Sequence, residues 1–299
     1  KAWRQGAGRS VLLALFGLAG LWATGAGMAE ALAGQGIGVA LVPDGLPFHI
    51  LLGLGLWLSL AAFGVSYKLF PMFLLASEAD GRLRALTFTA ALLAAALVLV
   101  GLLAVLRGQD FPLWLPVLPM LAAASLYLAD IAAIWRSRKR PRPEVNMLMS
   151  RAALAFLVLA ALLILPAMRF GGRWAEATVF AAAAGWLSML TLAQLVKITS
   201  FLTWIQVFAT RIGRAPVPMV QDLTDAHAVR LWLWLWCLGA GGGTLALLAG
   251  APLMFRCAAL VLLIAALGLV REVHAIRRLV HLPVARRPGT LPPLILPVL

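Results

Sequence analysis

The chain has 299 residues and a net charge of +14, and 63% of its residues are hydrophobic while only 12% are charged. A water-soluble domain needs about a quarter charged residues on average, so the composition excludes that class. Because the apolar segments leave no room for a soluble basic domain, the charge does not indicate nucleic-acid binding. We expect an integral membrane protein whose basic residues contact anionic lipid headgroups.

Eight apolar runs are long enough to cross a bilayer. A helix rises about 1.5 Å per residue and satisfies its own backbone hydrogen bonds, so about 20 apolar residues cross the roughly 30 Å hydrocarbon layer. The predicted fold class is therefore all-α, a polytopic membrane protein with eight transmembrane helices. In chain order these predicted spans are 10–34, 47–70, 84–106, 112–135, 147–168, 175–197, 229–250 and 252–273.

A block in the second span returns 129 residues later in the sixth span. Trp57-Leu58-Ser59, followed by Lys68-Leu69, corresponds to Trp186-Leu187-Ser188, followed by Lys197-Ile198. Eight spans with this period predict two tandem four-helix units. Since each unit has an even number of spans, both units keep the same orientation.

The predicted domain boundaries follow from this period. The first four-helix unit covers 1–135 and the second covers 147–281. Between them, the basic and proline-containing segment 136–146 is predicted to be a solvated linker. The tail 282–299 has five prolines and cannot continue a helix, so we expect it to pack against another surface.

Positive charge predicts the orientation. All but four of the 25 Lys and Arg residues lie near span ends and loops on one side, which we call the basic side; the exceptions are Arg107, Arg169, Arg173 and Arg256. Basic residues near helix ends stay in the cytoplasm. We therefore expect a multi-pass protein of the bacterial inner (cytoplasmic) membrane with both termini in the cytoplasm.

Two segments carry a family resemblance. The stretch 49–57, followed by 64–73, resembles the membrane proteins related to subunit I of haem-copper oxidases, and so does 197–204, followed by 213–218 and Asp222-Leu223. The catalytic subunit of that superfamily has twelve helices in three arcs of four. The resemblance implies that this chain supplies two of the three arcs.

The resemblance also implies an incomplete set of metal ligands. Haem-copper chemistry uses six histidines, because imidazole suits both metals, and this chain has four. Only His49 lies in a span, where its position resembles that of a copper-ligating histidine, and the repeat-equivalent residue is Thr178. We name no catalytic residue and no complete metal site. His49 is the one candidate to bind a haem or a quinone shared with other subunits, and a structural interfacial histidine is the alternative.

Asp130 is an ionisable residue inside an apolar span, where such groups usually have a partner. It lies near the basic side, at about the depth of Lys68 and Lys197. We predict a salt bridge from Asp130 to one of these lysines as a structural tie between helices. A proton path is the weaker interpretation, because the span centres carry almost no further carboxylates.

Interfacial features are predicted around the sixth and seventh spans. After the sixth span, the amphipathic stretch 201–208 is predicted to lie along the membrane surface. Trp232, Trp234 and Trp236 are predicted to anchor the seventh span at the interface, and the glycines from Gly239 to Gly243 predict close helix packing.

These observations favour a non-catalytic or accessory integral subunit of a respiratory or other electron-transfer complex. Its expected partners are other membrane subunits of that complex and the lipid bilayer. Two alternatives stay open. One is a partial haem-copper oxidase-like enzyme subunit whose N-terminal helices are absent from this sequence, and the other is a membrane transporter.

Overall fold

A computed structural model of the chain describes residues 6–34, 41–77, 81–214 and 216–287. Every regular element within these ranges is helical, and they contain no strand. Eight of these helices are long and apolar enough to cross a membrane, which confirms the predicted all-helical class and number of spans. We number them α1 (Gly8–Leu32), α2 (Leu46–Leu74), α3 (Gly81–Leu106), α4 (Trp114–Arg136), α5 (Val145–Phe170), α6 (Gly172–Arg211), α7 (Ala226–Ala249) and α8 (Pro252–Arg277).

Large apolar side chains are exposed along all eight helices. Phe16 is 74% exposed, Trp22 76% and Leu162 67%. A soluble protein rarely leaves apolar surface of this extent in contact with water, whereas lipid tails cover such side chains readily. The surface therefore agrees with the composition, and a multi-pass membrane protein accounts for both.

The observed helix ends agree closely with the predicted spans except at α6. That span was predicted to end at Lys197, but the helix continues through Phe208. The stretch 201–208 is thus part of α6 and is not a separate surface helix. The prediction ended the span at Lys197 because this charged residue interrupts the apolar run. The helix itself continues, because no proline or glycine follows before Gly213.

Three helix ends have clear local causes. Asp225 is the N-cap of α7, where its Oδ1 accepts hydrogen bonds from the N–H groups of His227 (2.9 Å) and Ala228 (3.1 Å). These backbone donors, that of Ala228 most of all, lower the pKa of the Asp225 carboxyl. Gly250, with φ of 65°, ends α7, and Leu279, with φ of 54°, follows the end of α8. Most of the proline-rich tail, 288–299, lies outside the described residues.

Contacts between Cα atoms divide the chain into two compact units. Unit 1 is made of 1–143 together with 157–182, and unit 2 of 144–156 together with 183–299. Helices α5 and α6 each contribute residues to both units. The two compact units are defined by contacts in the folded protein, whereas the predicted boundaries are those of a duplicated sequence. The predicted boundaries therefore stay a prediction.

Both α2 and α6 contain a π-helical segment, in which backbone hydrogen bonds run to the fifth residue along the chain. In α2 it covers Leu51–Ser59, and in α6 it covers Ala181–Ser188. Each segment ends at the serine of the repeated Trp-Leu-Ser block. Segments of eight or nine residues are long for this geometry, which occurs mostly as single-turn bulges.

In unit 1, small residues let the neighbours of α2 approach its π-helical segment. A Cβ added to Gly17 of α1 would lie 2.9 Å from the backbone nitrogen of Trp57. On another side, a Cβ on Gly55 would lie 2.7 Å from Cε of Met120 in α4. Ser59 donates a hydrogen bond of 2.6 Å to the carbonyl of Leu54, so its side chain also serves the backbone within the segment.

In unit 2, residues 183–188 of the π-helical segment of α6 have the same kind of surroundings. A Cβ on Gly185 would lie 2.8 Å from Cβ of Phe156 in α5. The indole N–H of Trp236 in α7 donates a hydrogen bond of 2.9 Å to the carbonyl of Ala184. Trp236 is therefore held by protein in addition to any interfacial role.

Close packing was also predicted for the glycines of α7. A Cβ on Gly239 would lie 2.8 Å from Cγ of Leu262 in α8, in line with this prediction.

We predict that Gly101→Ala lowers the stability of the protein in mild detergent by about 1–3 kcal/mol, the usual cost of overpacking. A Cβ at this position of α3 would meet the ring of Phe48 and would lie 2.8 Å from the ring of Phe111, so both rings must move. Gly81→Ala in the same helix is the matched control, because its Cβ would meet nothing within 4 Å. Thermal unfolding followed by circular dichroism measures both variants, and equal melting temperatures would contradict the packing described.

Candidate functional site

His49 lies near the start of α2, in unit 1, and is half-buried. Its Nδ1 is 2.9 Å from Oγ1 of Thr24 in α1. Next to Thr24, a Cβ on Gly25 would lie 3.2 Å from Cε1 of the imidazole, so α1 passes close to the ring edge. We call these three residues the His49 site.

The hydroxyl of Thr24 has other acceptors besides Nδ1 of His49, and this bears on which nitrogen of the imidazole carries the proton. It lies 2.9 Å from the carbonyl of Gly20 and 3.1 Å from that of Leu21, the usual acceptors of a helical threonine hydroxyl. A hydroxyl has one proton, and when it is given to a backbone carbonyl, Oγ1 accepts from Nδ1–H of His49. The neutral imidazole then keeps the Nε2 lone pair for a metal or a hydrogen-bond donor.

The repeat-equivalent residue, Thr178, has no such role. Its hydroxyl lies 2.7 Å from the carbonyl of Trp174 and 3.2 Å from that of Leu163, so it is committed to backbone. The His49 site is thus a feature of α2 and is not repeated in α6.

A second group of polar side chains lies at the opposite end of α2, where α2 and α4 end and α3 begins. We call it the Asp130 cluster. Ser66 and Tyr127 share a hydrogen bond of 2.7 Å, and the ring of Tyr127 stacks on Phe63 with centroids 3.8 Å apart. The cluster consists of Ser66, Tyr67, Arg84, Thr87, Tyr127 and Asp130.

Tyr67 lies between two opposite charges of this cluster. The guanidinium of Arg84 lies over its ring, 4.7 Å from the centroid, and Asp130 and Thr87 are close to its hydroxyl. Two nitrogens of Arg84, Nε and Nη2, are buried without a hydrogen-bond partner in the part of the chain that the structure describes. Asp130 is fully buried, and a buried carboxylate is costly unless it is paired.

The structure places the two predicted lysine partners of Asp130 differently. Lys68 is exposed near the end of α2, in unit 1. In unit 2, Lys197 forms a salt bridge with Glu144 at the start of α5. The pairing of Asp130 with a lysine stays a prediction, and Arg84 is a neighbouring cation that the sequence analysis missed. The signal was present, because Arg84 stands at the first residue of the predicted third span.

A buried amide network in unit 2 was also missed. Gln194 of α6 accepts a hydrogen bond of 3.2 Å from the amide of Asn146 and donates one of 2.8 Å to the hydroxyl of Ser150. All three side chains are buried. Polar residues inside apolar spans are the signal that could have found this network, because they need partners there.

The other histidines lie in unit 2, near the ends of α7 and α8. His227 and His274 are exposed, whereas Nε2 of His281 is 3.2 Å from a carboxylate oxygen of the buried Glu272. Because α8 ends before the left-handed residue Leu279, His274 and His281 do not share a helical face. Among the described residues, no three His, Cys, Asp or Glu side chains come together in a way that would hold a metal.

Comparison of the chain with protein-family models, with curated proteins and with solved structures gave no match in any of the three. The resemblance to haem-copper oxidase subunit I therefore depends on the sequence segments alone. Function has to be argued from the His49 site, the Asp130 cluster and the paired π-helical segments.

We predict that Asp130 and Lys68 are energetically coupled. Asp130→Asn and Lys68→Met are each expected to destabilise the protein in detergent, and the double variant should lose about 1 kcal/mol less than the sum, because either change alone already breaks the pair. Lys139→Met, in the exposed linker, is the control and should be additive with Asp130→Asn. Free energies of unfolding in denaturing detergent measure the cycle. Additivity of Lys68→Met with Asp130→Asn would exclude Lys68 as the partner of Asp130.

Proposed function

We propose that this chain is a non-catalytic or accessory integral membrane subunit of a respiratory or other electron-transfer complex. It is built from two tandem four-helix units, 1–135 and 147–281, related to two arcs of haem-copper oxidase subunit I. In this proposal its partners are other membrane subunits of the complex, and it resides in the bacterial inner membrane with both termini in the cytoplasm.

The paired π-helical segments are the observation that supports this proposal most. Leu51–Ser59 and Ala181–Ser188 end 129 residues apart, which is the period of the repeated sequence block. Each segment also has a glycine against which a neighbouring helix packs, Gly55 in α2 and Gly185 in α6, although these two glycines are one residue out of the repeat register. An uncommon backbone geometry at the same place in two similar sequences is expected from duplication of one helix-bundle unit, as the resemblance implies.

His49 is the residue that we propose for contact with a redox group. The Thr24 hydroxyl orients the imidazole and leaves Nε2 able to bind haem iron or to hydrogen-bond a quinone carbonyl. A bound haem or quinone would supply electron transfer, and the protein contributes one ligand and its orientation. Further ligands would come from other subunits, because His49 is the only histidine within the eight spans apart from His227 and His274 near the ends of α7 and α8.

The test is the visible spectrum of the complex purified from the native membrane in mild detergent. We expect His49→Ala to remove a haem band or, for a quinone, to lower the quinone content of the preparation. Thr24→Val keeps the shape of the side chain and removes its hydroxyl, so it should shift the band or weaken binding without abolishing it. His274→Ala, at an exposed histidine, is the matched control and should leave both readouts unchanged.

The identity of the co-purifying chains is measured in the same preparation. Redox subunits are the expected partners. An unchanged spectrum and an unchanged quinone content in His49→Ala would remove His49 from the proposal. Isolation of the chain by itself, without any redox subunit, would contradict the accessory role.

A further inference from the structure

An apolar groove of about 630 Å³ lies between α1, α2 and α3 within unit 1. This volume is in the range of sites that hold small organic ligands, about 300–1,000 Å³. Leucine, phenylalanine, alanine and glycine form nearly all of its lining, and Arg9 is its one charged residue. The groove is separate from the His49 site and the Asp130 cluster, whose residues do not line it.

Small residues bring two walls of the groove together. A Cβ on Gly17 would lie 3.0 Å from Cβ of Leu56, and a Cβ on Gly20 would lie 3.0 Å from Cδ2 of Leu52, so α1 and α2 are in close contact on one side of the groove. On α3, the lining includes Ala96, which is exposed and whose methyl side chain leaves space in the groove. Water gains few hydrogen bonds from such a surface, so an apolar molecule is the favoured occupant.

The groove is longer than one leaflet of a bilayer. Its lining on α1 runs from Arg9 to Gly20, which is about 17 Å of helix at about 1.5 Å per residue. On α3 it runs from Phe88 to Leu102, about 21 Å by the same rise. Half of a hydrocarbon core of roughly 30 Å is about 15 Å. An acyl chain that enters from the Arg9 end therefore has apolar lining along its whole path to the middle of the membrane, and the groove continues beyond it to Leu102, near the far end of α3.

The charge lies at one end of the groove. Arg9 is exposed and stands near the start of α1, on the basic side, where lipid headgroups meet the hydrocarbon. A guanidinium binds a phosphate with two parallel hydrogen bonds, and basic residues at such interfaces favour anionic lipids. An apolar groove at least one leaflet long, with a single cation at one end, is complementary to a phospholipid.

We propose that this groove binds one anionic phospholipid of the leaflet on the basic side. An acyl chain lies along α1 and α3, and the phosphate contacts Arg9. The lipid covers apolar side chains of all three helices, so it acts as a structural component of unit 1.

The test uses the full chain purified in mild detergent, delipidated, and titrated with dioleoylphosphatidylglycerol under native mass spectrometry. Dioleoylphosphatidylcholine, with the same chains and no net charge, is the comparison lipid. We expect one tightly retained phosphatidylglycerol per chain, and about fivefold weaker retention in Arg9→Gln, as expected for loss of one interfacial cation. Arg107→Gln, an exposed arginine on the opposite side, is the matched control and should bind as the wild type does.

A second variant tests the groove apart from the charge. Ala96→Phe fills the groove and should reduce retention of both lipids, whereas Val100→Phe, exposed on α3 and outside the lining, should not. Equal retention by Arg9→Gln and wild type, or no difference between Ala96→Phe and Val100→Phe, would overturn the proposal. Extraction of a quinone in place of a phospholipid, in an amount that Ala96→Phe reduces, would also overturn it.

Discussion

Close contact between α1 and the π-helical part of α2 is the interaction on which the account of unit 1 depends. The backbone of α1 reaches the Trp57 amide only because Gly17 has no Cβ. Lipid tails are as apolar as leucine, so van der Waals contact at such close approaches decides how helices pair in a membrane. On one side of this contact Thr24 reaches His49, and on the other the groove begins. The proposed redox contact and the proposed lipid therefore share one packing constraint.

The π-helical segments show how the chain meets the demand that every backbone group be satisfied inside hydrocarbon. A wider helical turn changes which backbone carbonyls face the neighbouring helices. In this protein, side chains donate hydrogen bonds to two of these carbonyls. Ser59 bonds the carbonyl of Leu54 within α2, and Trp236 bonds that of Ala184 in α6. Each π-helical segment is stabilised by a side-chain hydrogen bond to its backbone and by close packing of a neighbouring helix.

The sequence predicted the spans well because a bilayer imposes one length on every apolar run. It missed the end of α6, because Lys197 interrupts the apolar run although no proline or glycine ends the helix before Gly213. In the added part of α6, Thr203 accepts a hydrogen bond of 2.9 Å from Arg277, a contact across 74 residues that no local pattern encodes. His49 and Asp130 were found because polar groups in apolar spans are rare. Their neighbours Thr24 and Arg84 were not, because pairing between helices depends on rotation about each axis, and a mixed α and π helix shifts that rotation.

The central claim is that these helices cross the membrane with the basic side in the cytoplasm, and α4 tests it most directly. Single cysteines are placed on either side of α4, Gln109→Cys and Ser137→Cys, both at exposed positions, with Cys237 and Cys257 replaced by alanine. A membrane-impermeant maleimide is then applied to cells whose inner membrane is intact. Labelling of Gln109→Cys from outside, with Ser137→Cys labelled only after the inner membrane is disrupted, is the predicted result. Labelling of both from outside, or of Ser137→Cys alone, would contradict the account.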